Sequence, residues 1–313
     1  MKSGVVVIGE ALIDVLRENN GSIKNIPGGS PANTAVALAK LGMNVQMRAR
    51  TSSDDFGFEI RKYLQNQNVK LDQGKVVDDP SSIIDAYIQK DGSAKYEANL
   101  IGASDYGWQS DELAVDIGID TRLVHLGSLT SYIEPGATNI ENWYKKLSDS
   151  KNIILSFDPN IRHPLDGQNK ETVQNRALRL ASYAHIVKAS DEDLIWINPQ
   201  LEPEKTAHEI LESGALLVIV TKGKNGAIGF LKNGLRVEIS SPNIEVIDTI
   251  GAGDTFAAGL ITQIIEKGFV NPLDLTQLTD SDLRQMLINA AQAAAITCSR
   301  KGANPPLRQE VSW

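Results

Sequence analysis

The sequence predicts an α/β protein with a mainly parallel central β-sheet, helices on both faces and a small β-sheet lid standing apart. Three observations carry this expectation. Short apolar runs at Val5–Ile8, Val45–Ala49, Leu123–Leu126, Ile153–Phe157, Ala184–Val187, Leu216–Val220 and Ile244–Ile247 hardly alternate with polar residues, as strands buried on both faces do. Helical patterns over residues 31–41, 57–66, 138–148, 171–182 and 204–213 separate several of them, the rhythm of a parallel sheet with crossover helices. Two stretches break that rhythm with hairpin signals. Asp91-Gly92 lies between Ile83–Gln89 and Ala94–Asn99, where Ile84, Ala86 and Ile88 alternate; Val15–Ile26 carries Asn20-Gly21. These are read as lid segments near residues 10–30 and 80–105, inserted into a single domain spanning 1–313. A third hairpin, Asn233-Gly234 between Ala227–Leu231 and Arg236–Ile239, is placed at the antiparallel edge of the main sheet. Beyond Gly268 the pattern is helical only, and residues 285–299 are apolar on nearly all sides, which predicts a buried helix.

With 313 residues, 42% of them hydrophobic, the chain can bury one large core. A net charge of −8 argues against nucleic acid or an anionic membrane as partner. The single cysteine, Cys298, excludes an internal disulfide, and its apolar neighbours suggest a buried thiol. No apolar run approaches the ~20 residues of a membrane span, and Val5–Ile8 is too short for a signal segment. A cytoplasmic location is expected.

The most informative stretch is Asp248-Thr249-Ile250-Gly251-Ala252-Gly253-Asp254-Thr255-Phe256-Ala257-Ala258-Gly259. An apolar run enters it, and a helical run, Phe256 to Ile265, leaves it. Its glycines let backbone approach a ligand, and free amides at a helix start bind anions with the help of the helix dipole. Amides of Gly251, Ala252 and Gly253 would then face a phosphate while Asp254 takes the proton of an attacking hydroxyl. The glycines alone decide little, because a tight strand-to-helix turn needs them anyway. Phe256 stands where the third glycine of a dinucleotide fingerprint belongs, and no G-x-x-x-x-G-K-[ST] loop occurs.

A second cluster is Gly28-Gly29-Ser30-Pro31-Ala32-Asn33-Thr34-Ala35. Ser30 reads as a helix N-cap, Pro31 as the first helical residue, and Gly42 as the residue past the helix end. Those roles leave Gly28, Gly29 and the side-chain amide of Asn33 unexplained. Two bare amides and a side-chain amide make a site for sugar hydroxyls, which need donors and acceptors.

The first stretch resembles the C-terminal signature of the PfkB-type carbohydrate kinases, the ribokinase-like family, position by position from Asp248 through Ile261. The second is similar to that family's N-terminal signature, although Ser52 stands where the family usually has Gly. The resemblance runs from Gly9 to Gly302. It implies a three-layer ribokinase-like sandwich with a β lid, and transfer of the ATP γ-phosphoryl group to a sugar hydroxymethyl, with Asp254 as base. In the family Asp14 binds sugar hydroxyls. Asn160 and Arg162, in Phe157-Asp158-Pro159-Asn160-Ile161-Arg162, face substrate and the transferring phosphate. That segment looks like those of fructokinases, so fructose is the expected acceptor; a 2-keto-3-deoxygluconate kinase or another sugar kinase is the alternative. Asn99-Leu100 ahead of Gly102-Ala103-Ser104-Asp105 departs from many fructokinases.

The segment Lys188-Ala189-Ser190-Asp191-Glu192-Asp193 is open to two readings. Ser190 is a good N-cap with acids following, and by resemblance Lys188 and Ser190 border the phosphates while Asp193 touches magnesium through water. Thr221, Gly223 and Gly226 run beside the nucleotide in the family; as residues they predict only a turn. Asn289 is balanced between an adenine contact and a satisfied core amide. Besides ATP and Mg2+, the resemblance implies a K+ site near Asp248, Ile250 and residues 299–302. Homodimers through exposed lid edges are an expectation. A non-catalytic sugar or nucleotide sensor is the reading from another class, opposed by the intact Asp254 loop. His125, His163, His185 and His208 lack metal or triad company and are read as structural.

Overall fold

Alternate residues of the central strands feed two different hydrophobic cores. The computed structural model describes residues 4–17, 21–71, 73–88, 94–113, 116–118, 120–150, 152–161 and 168–313. The Asp91-Gly92 turn, Asn20, Lys90, Arg162 and His163 therefore lie outside the described residues. The first half carries β1 (Gly4–Ile8), β2 (Leu12–Arg17), β3 (Ile23–Gly28), β4 (Asn44–Arg48), β5 (Arg50–Ser52), β6 (Lys75–Val77), β7 (Ile83–Ile88) and β8 (Ala94–Asn99). The second carries β9 (Thr121–Gly127), β10 (Ile154–Asp158), β11 (Ile186–Ser190), β12 (Leu217–Thr221), β13 (Ala227–Leu231) and β14 (Arg236–Ile239). Helices are α1 (Ser30–Lys40), α2 (Asp55–Asn66), α3 (Ser110–Leu113), α4 (Gly136–Ser150), α5 (Lys170–Tyr183), α6 (Asp191–Ile197), α7 (Pro203–Ser213), α8 (Ala252–Glu266) and α9 (Asp280–Cys298).

The main sheet has the order β14-β13-β12-β11-β10-β9-β1-β4. Its pairs are parallel from β4 to β12, and β13 and β14 close one edge antiparallel, as the Asn233-Gly234 hairpin predicts. Along β1, Val5 and Val7 pack with residues of α1, α2, α8 and α9, whereas Val6 and Ile8 pack with α4, α5, α6 and α7. Leu217 and Ile219 of β12 join the first core, Val218 and Val220 the second. A strand apolar on both faces can do this only between two helical layers. The lid is a separate four-stranded sheet, β3-β2-β7-β8, whose β2–β7 pair is parallel and flanked by antiparallel pairs.

Helix α8 is buried from Asp254 to Ile264 because it lies between α1 and α9. Gly259 permits the second contact: a Cβ there would come within 3.1 Å of the Ala290 Cα. Helix α9 starts five residues before the expected stretch, where Thr279 and Asp282 form a reciprocal cap. One expectation fails. Ile244–Ile247 forms no strand, since the sheet already ends at β14 and the chain leaves its edge. Val246 and Ile247 are exposed, and the amides of Ile247 and Asp248 both donate to the Cys298 carbonyl at the end of α9. The β5–β6 pair was not foreseen, because three-residue strands fall below any periodic signal.

Ser52 belongs to this small pair and is buried. The absence of glycine there is tolerated because the close approach is made from the other side, by Gly57 in α2. A Cβ on Gly57 would stand 2.0 Å from the Ser52 carbonyl oxygen, backbone against backbone. Gly57→Ala should therefore destabilise the protein by roughly 2–3 kcal/mol, read as a lowered midpoint in urea unfolding.

Candidate active site

The chemistry-bearing residues gather beyond the carboxyl ends of the central strands, where parallel sheets place their ligands. Asp158 ends β10, Lys188 and Ser190 end β11, and Thr221, paired with Ser190, ends β12. Above them α8 begins. Gly251 is its N-cap in the left-handed region (φ 75°), and a Cβ there would press to 2.8 Å from the Ala303 Cβ. Only glycine meets both demands. Asp254 is the third residue of the first turn and is buried.

The carboxylate of Asp254 is held from another helix. Ser30 Oγ donates to its Oδ1 at 2.7 Å and Asn33 Nδ2 to its Oδ2 at 3.0 Å. This corrects the reading of Ser30 as an N-cap: Gly29 occupies that position, Ser30 is the first helical residue and its hydroxyl points across to α8. Asn33, expected to meet sugar, first meets this acid. The Ala252 amide closes a turn onto the Thr249 carbonyl, whereas among the described residues the amides of Gly251 and Gly253 donate to no protein acceptor.

Beside this helix start, Lys188 Nζ sits 2.8 Å from Asp158 Oδ2, with both side chains buried. Lys188 also borders α8, since a Cβ on Gly253 would stand 3.0 Å from its Nζ. Burial disfavours its charge, but Asp158, with Asp193 and Asp254 behind it, outweighs burial and holds the ammonium above its ordinary value. Burial pushes Asp158 up to about 6, against the pull of Lys188. At neutral pH the pair is ionised. Among the described residues Asp158 Oδ1 is buried without a hydrogen-bond partner, an orphan that calls for a further donor.

Asp193 is committed elsewhere. Its Oδ2 accepts from Ser190 N and Oγ and its Oδ1 from Ile161 N, so it both caps α6 and fixes the Asn160 loop. Ser190 is thereby the N-cap of the two readings, its hydroxyl engaged in the cap. Asn160 is buried at positive φ (39°), with Nδ2 3.5 Å from Ser128 Oγ. Ser128, also at positive φ (63°), is a neighbour the sequence did not flag; two non-glycine residues in that region side by side mark stored strain.

Asn289 has the bonds of the second of its two readings. Its Nδ2 donates to Gln263 Oε1 at 2.7 Å and its Oδ1 accepts from Gln285, so it is a satisfied core amide tying α9 to α8. Gly226 likewise serves packing, because a Cβ would stand 2.0 Å from the Ile239 carbonyl, while Gly223 faces open space beside Thr221. Asp248 does bring together the residues expected around a monovalent cation: its carboxylate accepts from the amides of Ile250 and Gly302. Cys298 is only partly buried. His125 and His185 are pushed by burial down to about 3 and about 4, so both are neutral structural residues, and His208 packs edge-on against Phe230.

Asp14 lies in β2 of the lid and not at the end of β1. Its carboxyl adjoins Gly28, where a Cβ would stand 2.6 Å from Oδ2, and burial raises it to about 6. Two further buried acids tie lid to body. Asp105 accepts from Ala11 N and from Ser82 Oγ; burial, opposed by those bonds, brings it to about 7. Glu10, also raised by burial, accepts from Thr130 N and Oγ. Asp105 stands inside a quoted motif and Glu10 follows β1, yet an acid has no visible partner until the chain is folded. A cavity of ≈ 270 Å³ between Gly4, Asn44, Lys70 and Thr121 lies at the opposite end of the strands, away from all of this chemistry.

An α/β fold with a lid, an acid in a bare helix start and an adjoining buried lysine defines a phosphotransferase class of protein. The model of the pfkB family of carbohydrate kinases matches residues 2–310, and the chain belongs to that family. It is 32% identical to a fructokinase from Rhizobium leguminosarum bv. trifolii, over 90% of this chain and 85% of that one. Among solved structures it is similar to a fructokinase with bound ATP from Xylella fastidiosa (TM-score 0.86, 23% identity, 97% and 94% coverage). It is also similar to a fructokinase double mutant from Vibrio cholerae O395 in a form with fructose, ADP and potassium ion (TM-score 0.80, 23% identity, 96% and 94% coverage).

The raised Asp14 carboxyl sets a pH test. Below pH about 6 it takes up a proton and loses the charge with which, in the role expected of it, it would accept from sugar hydroxyls. The KM for sugar should rise as pH falls through 6, and Asp14→Asn should both raise KM about tenfold and flatten that dependence, measured by steady-state kinetics between pH 5 and 8.

Proposed function

We propose that this chain is an ATP-dependent fructokinase, transferring the γ-phosphoryl group to the hydroxymethyl oxygen of fructose. The observation that carries the reading is the convergence of Asp254, the α8 amides and the Lys188 ammonium on one point beyond the sheet. The hydroxymethyl oxygen attacks the γ-phosphorus. Its proton passes to Asp254, the new O–P bond forms as the bond to the β–γ bridging oxygen breaks, and ADP leaves. In a loose transition state that proton departs late, so a weak, well-placed base suffices. Amides of Gly251 and Gly253, with Lys188, stabilise the charge on the transferring oxygens. Arg162, whose chain segment lies outside the described residues, completes that set by family likeness.

Asp14, Gly28, Gly29, Asn33 and Asn160 are proposed to bind the sugar; Lys188, Thr221 and Gly223 to border the nucleotide. Magnesium bound to ATP neutralises phosphate charge. Among the described residues no cluster of three His, Cys, Asp or Glu is arranged to take a metal directly. The orphaned Asp158 Oδ1 suits the water shell of a hard cation better than the committed Asp193, which the sequence had favoured. The Asp248 junction is proposed to hold potassium. Among the described residues no helix is long and apolar enough to cross a membrane, and a reaction that draws on ATP supports a cytoplasmic location. The outer lid strand β3 is exposed from Ile23 to Ile26, and we assign a homodimer to this sheet edge.

A coupled ADP-release assay over fructose, ribose, 2-keto-3-deoxygluconate, adenosine and tagatose should rank fructose first by kcat/KM; preference for the sugar acid would replace the substrate. Asp254→Ala should lower kcat at least 10³-fold with nucleotide affinity little changed, whereas a loss about tenfold or less would remove it as the base. In sedimentation, the protein should run as a dimer and Ile26→Glu as a monomer; a monomeric parent protein would end that assignment.

A further inference from the structure

We infer that Ser30 is a positioning residue for phosphoryl transfer, its hydroxyl fixing the Asp254 carboxylate in the orientation that receives the substrate proton. The inference rests on Asp254 being the base, as proposed above. Ser30 begins α1 while Asp254 lies in the first turn of α8, 224 residues later, and their side chains meet at 2.7 Å. Nothing in local structure requires this bond. The N-cap is Gly29, so Ser30 serves no cap, and Gly9 and Pro31, not Ser30, make the tight contact beneath the loop.

A carboxylate in a helix start has two torsions to settle, and its surroundings pull it in a particular direction. Lys188 attracts it from β11, while Asp158 on β10 repels it. Left to these charges, the carboxylate would turn toward the ammonium, which is needed for phosphate. Ser30 on Oδ1 and Asn33 on Oδ2 hold it toward α1, the side on which Gly28, Gly29 and Asp14 stand. Asn33 alone leaves Oδ1 without this restraint. A serine hydroxyl also both donates and accepts, so it can hold the carboxylate while accepting from a neighbouring sugar hydroxyl. Misplacing a reacting group by an ångström is enough to cost one or two orders of magnitude in rate.

The test compares Ser30→Ala, Ser30→Thr and Asp254→Asn with the parent enzyme, using Mg-ATP and the most active sugar of the panel above. Ser30 is only partly buried, so truncation opens no cavity, and alanine suits a helix start within the chain. We expect Ser30→Ala to lower kcat about tenfold while KM for ATP and for sugar stay within about twofold, and Ser30→Thr, which keeps the hydroxyl, to recover most of kcat. Full kcat in Ser30→Ala, or a threonine variant no better than alanine, overturns the inference. An active Asp254→Asn would instead remove the base itself, and Ser30's role with it. An inactive Asp254→Asn beside a fully active Ser30→Ala would leave the base standing and refute only the positioning.

Discussion

One buried ammonium governs the electrostatics of this molecule's working end. Lys188 contacts Asp158 directly and lies within reach of Asp193 and Asp254, so among the described residues one cation faces three carboxylates in a water-poor space. Removing one partner of such a pair costs about 3–5 kcal/mol, because the remaining charge is left uncompensated. The arrangement is also poised. The acids keep Lys188 charged, the charged lysine stands against the amides of α8, and an arriving phosphate supplies the negative charge that competes for it. Among the described residues, the groups offered to a phosphate are thus one ammonium and the amides of a helix start.

The rest of the fold holds that site still. Helix α8 is pressed between α1 and α9, so its first turn cannot shift without disturbing both. The same three helices carry the polar bonds that matter: Ser30 and Asn33 reach Asp254 from α1, and Asn289 reaches Gln263 from α9. On the other side, the lid is hinged to the body by buried acids. Asp105 receives the amide of Ala11 just before β2 and the hydroxyl of Ser82 just before β7, so one carboxyl anchors the chain at the two points where it passes from body to lid. The chain belongs to the pfkB family of carbohydrate kinases, and the chemistry proposed for this geometry puts a sugar beneath the lid, a nucleotide over the strand ends and Asp254 between them as base.

Much of this was legible in the chain. The unalternating runs located six of the eight main-sheet strands, and Asn233-Gly234 located the antiparallel edge formed by the other two. The seventh run, Ile244–Ile247, misled because apolar residues can also line an exposed crossing between a sheet edge and a helix end. The site was legible wherever backbone made it, as at Gly251 to Asp254, because glycine in a left-handed turn leaves a local mark. It was illegible where side chains choose between distant partners. Asn289 was balanced between adenine and the core, and Asp193 between a water-mediated metal contact and a helix cap, and only the folded chain brings Gln263 and Ile161 within bonding distance of them. Asp158 was passed over because only burial beside Lys188 gives its second oxygen significance.

The sequence by itself determined the layered architecture, the position of the glycine-flanked helix start and the family, since periodicity, turn chemistry and contiguous motifs are properties of neighbouring residues. Tertiary structure decided the partnerships: Ser30 with Asp254, Lys188 with Asp158, Asp105 with Ala11 and Ser82 at the foot of the lid. Each of those bonds joins segments well separated in the chain. Its existence depends on ångström-level packing of helices and sheet, which no local pattern encodes.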